Sequence, residues 1–233
     1  MGNSYGNNVI VLIILKINAD PANKQSYPGS GTLLYDTITP VSGLYLGKGT
    51  ITNSVFRTDN SGKFAFNGTG YIEFDFPLPF FREEDNTYSA DVWCNSGDRD
   101  NRSIFCYLNG DSQIIFQLMR TSNSGELVYR WYNDGLNEVT IDNAIDAAST
   151  WFNYTVVHEG GNLIIYRNGV AIKTQSGLES NLNFAEGSKF FIGSQTTTDR
   201  FWDGDISCLK FYTDALSASE VKQNYNALKH RFI

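Results

Sequence analysis

The sequence contains few of the side chains that most catalytic and metal sites require. Among 233 residues there are 2 histidines and 3 cysteines. They do not fall at zinc-ligand spacing, and no serine lies in a G-x-S-x-G elbow. His158 lies at the end of a predicted strand, and His230 lies in the predicted terminal helix. Nothing in the sequence therefore favours a zinc site or a Ser-His-Asp or Cys-His enzyme.

Positive charge is also scarce. Charged residues make up 18% of the chain, the formal net charge is −7, and there is no run of lysine and arginine. Proteins that bind nucleic acid need clustered cations for the phosphate backbone. The sequence therefore argues against a nucleic-acid partner.

Long hydrophobic runs are missing as well. The one dense apolar run, Val9–Leu15, is much shorter than the roughly 20 residues that span a bilayer. It follows the uncharged segment MGNSYGNN, which lacks the positive start of a signal peptide. We therefore expect a buried strand here, with no membrane segment and no secretion signal. Residues 1–8 are predicted to be a flexible leader, and residues 9–233 a single domain.

The cysteines are odd in number, and all lie in strand-like segments. Three small buried thiols in a reducing compartment are favoured over a disulfide. The residues concerned are Cys94, Cys106 and Cys208.

Alternating apolar and polar residues recur along most of the chain. The segments are separated by Gly, Asn and Asp, and the strongest turn signal is Asn168–Gly169, which suits a type I′ hairpin. A dozen or so short strands joined in this way predict an all-β, antiparallel jelly-roll sandwich.

The C-terminus is predicted to be a strand followed by a short helix. In the strand, residues 201–212, Ile206, Cys208 and Phe211 form the apolar set, with Leu209 out of phase. Ser217 and Glu220 form a capping-box pattern. The helix then has an apolar stripe that must pack on the sheet: Leu216, Val221, Tyr225 and Leu228.

These segments resemble a known family. WFNYTVVHEGGNLIIYRNGVAI, FFIGSQ and FWDGDISCLKFYTDALSASEVKQNY are similar, in this order, to the end of the laminin-G-like jelly roll of concanavalin A-like lectins and glucanases. NADPANKQSYPGSGTLLYD followed by KFAFNGTGYIEF resembles a subgroup found in phage and large-virus structural proteins. The resemblance implies that the last strand returns beside the first, that the helix covers an open end of the sandwich, and that Trp151 and Trp202 pack in the scaffold.

The glycoside hydrolases of this fold carry E-x-D-x-x-E on one strand. Here Glu73 and Asp75 are followed by Pro77 and Leu78 where the third carboxylate should be. The pair is therefore interpreted as the solvent face of a strand. A degenerate glycoside hydrolase is kept as an alternative, and the chain is predicted not to be an enzyme.

Calcium is the one cofactor that the sequence supports. The fold's relatives often bind it in rim loops, and Asp98, Asp100 and Asn101 offer oxygen ligands in one tight loop. The alternative is that they are solvated turn residues.

Glycan binding is implied by the resemblance, because lectins of this fold hold sugars with aromatic side chains next to amides and carboxylates. The first candidates are Trp131 and Tyr132, which run into Asn133 and Asp134. Trp93 is out of phase with the apolar set of its strand and is predicted to line the concave surface. Burial in the core is the alternative for each of these aromatics.

The resemblance thus implies a non-catalytic, lectin-like protein of a virion surface, such as a head-decoration or tail-fibre protein made in a host cytoplasm. Its expected partners are polysaccharides or glycans, neighbouring virion subunits and copies of itself. The alternative is a carbohydrate-binding module of a non-viral polysaccharide-uptake system.

Overall fold

The structure is a computed structural model that describes residues 15–37, 48–75, 87–97, 100–121, 125–132, 135–142, 144, 150–178 and 188–233. The predicted leader, residues 1–8, and the run Val9–Leu15 except for its last residue lie outside these ranges.

The described residues form sixteen strands in two antiparallel sheets, which confirms the predicted fold class. Sheet 1 contains β1 (Leu15–Ala19), β4 (Val55–Arg57), β5 (Lys63–Asn67), β7 (Thr87–Cys94), β12 (Phe152–Glu159), β13 (Asn162–Arg167), β14 (Val170–Gln175) and β16 (Asp203–Tyr212). Sheet 2 contains β2 (Leu33–Tyr35), β3 (Lys48–Thr52), β6 (Tyr71–Asp75), β8 (Arg102–Leu108), β9 (Ile114–Arg120), β10 (Leu127–Tyr132), β11 (Leu136–Ile141) and β15 (Lys189–Ile192).

The strand order determines which strands lie at the edges. Sheet 1 runs β14-β13-β12-β7-β16-β5-β4, with β1 also paired to β16, and sheet 2 runs β11-β10-β9-β8-β15-β6-β3-β2. Between β13 and β14, Asn168 and Gly169 both have positive φ (54° and 73°), as a type I′ turn requires. This hairpin was predicted correctly.

The first and last strands close sheet 1. One side of β16 pairs with β7, and the other side pairs first with β5 and then with β1. Within the second of these pairings, Leu209 lies opposite Ala19 and Tyr212 opposite Leu15. The expectation that the last strand returns beside the first is confirmed.

Aromatic rings fill the space between the two sheets. The ring of Phe211 lies 6.0 Å from Phe105, 5.5 Å from Phe116 and 4.9 Å from Phe190, measured between centroids. Such contacts add about 0.5–1.5 kcal/mol per pair beyond the burial of apolar area. The 14% aromatic content is thus used mainly in the core.

A β-bulge at Cys208 corrects the predicted phase of β16. The register shifts between Ser207 and Leu209, and Cys208 has a φ of 45°. Because the bulge adds one residue, Ile206 and Leu209 both face the core, and Cys208 faces away from it, next to Trp93. As predicted, all three cysteines are buried and free.

The terminal helix, α1 (Ala218–Leu228), begins with the predicted capping box. The backbone N–H of Glu220 donates to Ser217 Oγ, and the carboxylate of Glu220 accepts from the backbone N–H of Ser217 (2.8 Å). A 3₁₀ turn follows at Lys229–Arg231, and another lies earlier at Asp59–Ser61.

The helix packs on the outer face of sheet 1, which corrects the expectation that it covers an open end. Leu216 and Val221 contact Val157 and Tyr212 on this face. Further along, Phe232 stacks on Trp93 with 4.4 Å between centroids. The outer face needs this cover because Trp93, Trp151 and Cys208 project from it. Trp151 and Trp202 are buried, as predicted.

A buried ion pair lies on the same outer face. Lys210 Nζ is 2.9 Å from Asp91 Oδ1, and both side chains are 1% exposed. Asp91 Oδ2 also accepts hydrogen bonds from Asn153 and Thr155. Burial alone would lower the pKa of Lys210, but the interactions of its ammonium group, with Asp91 foremost, together raise this pKa above its ordinary value. The two charges are therefore compensated without solvent.

Candidate functional site

An open groove of about 600 Å³ lies where the edge of sheet 1 meets the edge of sheet 2. Strand β11 forms one wall and β14 the other, so the groove opens into the gap between the sheets. Its lining consists of Trp131, Asn137, Glu138, Val139, Thr140, Lys173, Gln175, Gly177 and Leu178.

Trp131 lies at the inner side of this groove. Alternation in β10 places Trp131 on the core face together with Leu127 and Tyr129, and its ring stacks on Tyr129 with centroids 5.8 Å apart. The side chain is only 3% exposed. Its indole N–H has no hydrogen-bond partner in the described part of the chain. Trp131 is thus mainly a core residue that also lines the groove.

The wall formed by β11 carries amide, hydroxyl and carboxylate groups. Asn137 lies directly opposite Trp131 in the ladder between β10 and β11. Its side-chain amide donates to the carbonyl of Gly135 (3.1 Å). Glu138 lies on the alternate face and accepts a hydrogen bond from Arg130 Nε (3.1 Å), so its charge is already compensated.

The wall formed by β14 carries Lys173 and Gln175. The ladder places Lys173 opposite Ile165 and Gln175 opposite Leu163. Both partners are core residues, so Lys173 and Gln175 lie on the inner face of their strand and project toward the gap between the sheets. Below them, Leu178 packs against the core, and its backbone N–H donates to the carbonyl of Gly161 (2.9 Å).

The predicted glycan-binding residues do not form one cluster. Tyr132 follows Trp131 on β10 and projects to the opposite face of sheet 2. Asn133 and Asp134 lie outside the described residues. Trp93 is in the other sheet and is fully buried between Phe232 and Tyr225. The prediction that Trp93 lines an accessible surface is wrong, because the terminal segment covers it.

The predicted calcium loop is only partly described. Asp98 lies outside the described residues. Asp100 is 3.6 Å from Arg120 Nε, and Asn101 is exposed with a φ of 54°. No group of three or more His, Cys, Asp or Glu side chains suited to a metal ion occurs among the described residues. Calcium binding stays a prediction.

The carboxylates considered for catalysis lie elsewhere. Glu73 is on the outer face of sheet 2, between the core residues Ile72 and Phe74, and forms an ion pair with Lys189. The side chain of Asp75 is not among those described. His158 is fully buried on β12 beside the ring of Tyr88.

Sequence reasoning missed the residues that form the walls of the groove. Lys173 and Gln175 are about 40 positions from Trp131, and only the strand order of the two sheets brings them together. Asn137 could have been found from the sequence. The Asn133–Gly135 turn signal predicts a hairpin, and such a hairpin places residue 137 near residue 131 on the neighbouring strand.

The sequence profile of the concanavalin A-like lectin/glucanases superfamily, in its laminin-G-like form, matches residues 53–222. This match covers most of the chain and includes both walls of the groove. The chain belongs to this superfamily.

Solved structures with the jelly-roll fold of this superfamily cover nearly the whole chain. Domain 4 of AbnA, an extracellular GH43 arabinanase from Geobacillus stearothermophilus, was solved with arabinotriose. It aligns with a TM-score of 0.67 and 16% identity over 91% of this chain and 98% of that domain. The receptor-binding domain of botulinum neurotoxin type G aligns with a TM-score of 0.61 and 18% identity, over 91% of this chain. The binding domain of botulinum neurotoxin DC in complex with rat synaptotagmin II gives a TM-score of 0.69 and 16% identity, over 94% of this chain.

This chain spans about half the length of the two neurotoxin domains (50% and 52%). At these identities the likeness shows the fold. A comparison with curated protein sequences gave no match. Within the described ranges, no helix has the length and apolar character needed to cross a membrane.

Proposed function

We propose that this superfamily member is a non-catalytic module that binds a carbohydrate chain in the groove between β11 and β14. The observation that supports it best is the set of polar side chains on two facing walls, Asn137 on one and Lys173 and Gln175 on the other, with the buried residue Trp131 between them. Sugars present hydroxyls to amide and ammonium groups, and binding sites typically place a few such groups in a cleft.

The carboxylate content of the groove supports binding without cleavage. Glycosidases use two carboxylates about 5–5.5 Å or 6.5–9.5 Å apart. Among the described lining residues, Glu138 is the one carboxylate, and it is paired with Arg130. A second acid for general acid and nucleophile roles is missing from this set.

Two groove variants test the site after a glycan array, read with and without calcium, has identified a ligand. Asn137→Ala and Gln175→Ala should each weaken that ligand about two- to tenfold, the size of one hydrogen bond. Titration calorimetry measures the affinities. Gln25→Ala, an exposed residue of the loop after β1, is the matched control and should bind normally. Unchanged affinity in both groove variants would place the site elsewhere, and an array without hits would contradict the function.

We place the module, as part of the same proposal, on a virion surface, where it would contact host glycans or neighbouring subunits. This part rests on the resemblance of the segment that contains Tyr27 to viral structural proteins. In the structure, Tyr27 packs its ring against Phe56 and Phe64.

A module of a polysaccharide-degrading or uptake system is the second candidate. It is favoured by the alignment over 98% of the arabinanase domain. The neighbouring genes separate the two contexts. Capsid or tail genes support the virion surface, whereas a carbohydrate-uptake cluster supports the second candidate and contradicts the first.

A further inference from the structure

Lys173 is a cation that lines the groove. None of the ion pairs among the described residues includes Lys173. The other ionisable side chain of the described lining, Glu138, is held by Arg130. Among the described lining residues, Lys173 is therefore the one charged side chain without an ion-pair partner.

The position of Lys173 is unusual for a lysine. It is half-buried and lies opposite the core residue Ile165, on the face of sheet 1 that turns toward the core. Its side chain lines the same groove as those of Asn137 and Gln175. A ligand bound between the walls would lie next to this charge.

An anionic ligand would be repelled by the chain as a whole and attracted by Lys173 at short range. The net charge is −7, which repels anions at long range. Within a Debye length of about 8–10 Å, however, a single ammonium group dominates over distant charges.

We propose that the groove selects saccharides that carry an anionic group, a carboxylate or a sulfate, and that Lys173 determines this selectivity. The inference rests on the proposed function and identifies the class of ligand. An ammonium group is a compact point charge with three donors and accepts either anion.

The test compares three probes on the intact chain: an oligogalacturonate, a sulfated oligosaccharide of similar length and neutral arabinotriose. Wild-type protein should bind at least one anionic probe about fivefold more tightly than the neutral one, the size expected for one accessible charge pair. Raising the salt from about 0.05 to 0.5 M should remove most of this difference. The stronger of the two anionic probes identifies the anion.

Lys173→Gln should abolish the preference and its salt dependence, and Lys173→Arg should keep both. Lys24→Gln changes the net charge equally at an exposed loop and should behave as wild type. Equal loss in the Lys24 variant, or a Lys173→Gln variant with an intact preference, would overturn the inference.

Two further outcomes separate this inference from the proposed function. Equal binding of neutral and anionic probes would overturn the selectivity and leave carbohydrate binding in place, whereas no binding of any probe would contradict both. An inward-pointing lysine at a sheet edge can also prevent edge-to-edge association. If Lys173→Gln associates in size-exclusion chromatography but keeps its ligand preference, that role replaces the one proposed.

Discussion

The indole of Trp131 is a core side chain that also lines the groove. Its ring stacks on Tyr129, and 3% of its surface is exposed. The sequence left two interpretations open for Trp131, glycan binding and burial in the core. The side chain is buried in the core, and it also lies at the inner side of the groove. This is why Asn137 and Gln175, rather than Trp131, are the residues that test ligand binding without disturbing the fold.

Trp131→Ala should lower the free energy of unfolding by about 3–5 kcal/mol, because it removes a large buried ring and leaves a cavity. Thermal or urea denaturation followed by tryptophan fluorescence and circular dichroism measures the loss. Thr140→Ala, at an exposed position of the same groove, should change stability by less than about 0.5 kcal/mol. A loss as small as this for Trp131→Ala would show that the ring is not part of the core.

At the scale of single elements, the sequence predicted correctly those features that depend only on residues close together in the chain. The Asn168–Gly169 hairpin and the Ser217–Glu220 capping box were predicted correctly because each depends on residues within four positions. The bulge at Cys208 was not predicted. A single inserted residue changes which face every later side chain occupies, and the alternating pattern alone does not locate it.

The surfaces between elements were harder to predict than the elements. Trp93 was placed correctly on the face opposite Val92, but its environment depends on where the terminal helix packs. The groove depends on β11 and β14 being edge strands, which is a property of the complete strand order. The sequence therefore indicated Trp131, which lines the groove, but not the residues of the two walls.

At the scale of the whole molecule, the C-terminal segment connects distant parts of the chain. After β16 has paired with β1, the helix crosses the outer face of sheet 1. Arg231 then forms an ion pair with Asp20 (2.9 Å), which lies in the loop after β1. Arg231 is not among the described residues that line the groove. The two ends of the described chain are thus held together by a strand pairing, an apolar interface and an ion pair.

Removing residues 217–233 should give insoluble protein or a much lower melting temperature, because Trp93, Trp151 and Tyr212 would lose their cover.

Phe232→Ala tests the same interface with a smaller change. Phe232 stacks on Trp93 and lies 4.6 Å from Trp151, so its loss should cost about 3–5 kcal/mol. Ile233→Ala is the matched control, since this neighbour is 64% exposed and should change stability by less than about 0.5 kcal/mol. Differential scanning calorimetry compares the three proteins with wild type. A soluble truncated protein with an unchanged melting temperature would show that the helix is dispensable, and the sandwich would then have to be stable with an aromatic outer face open to solvent.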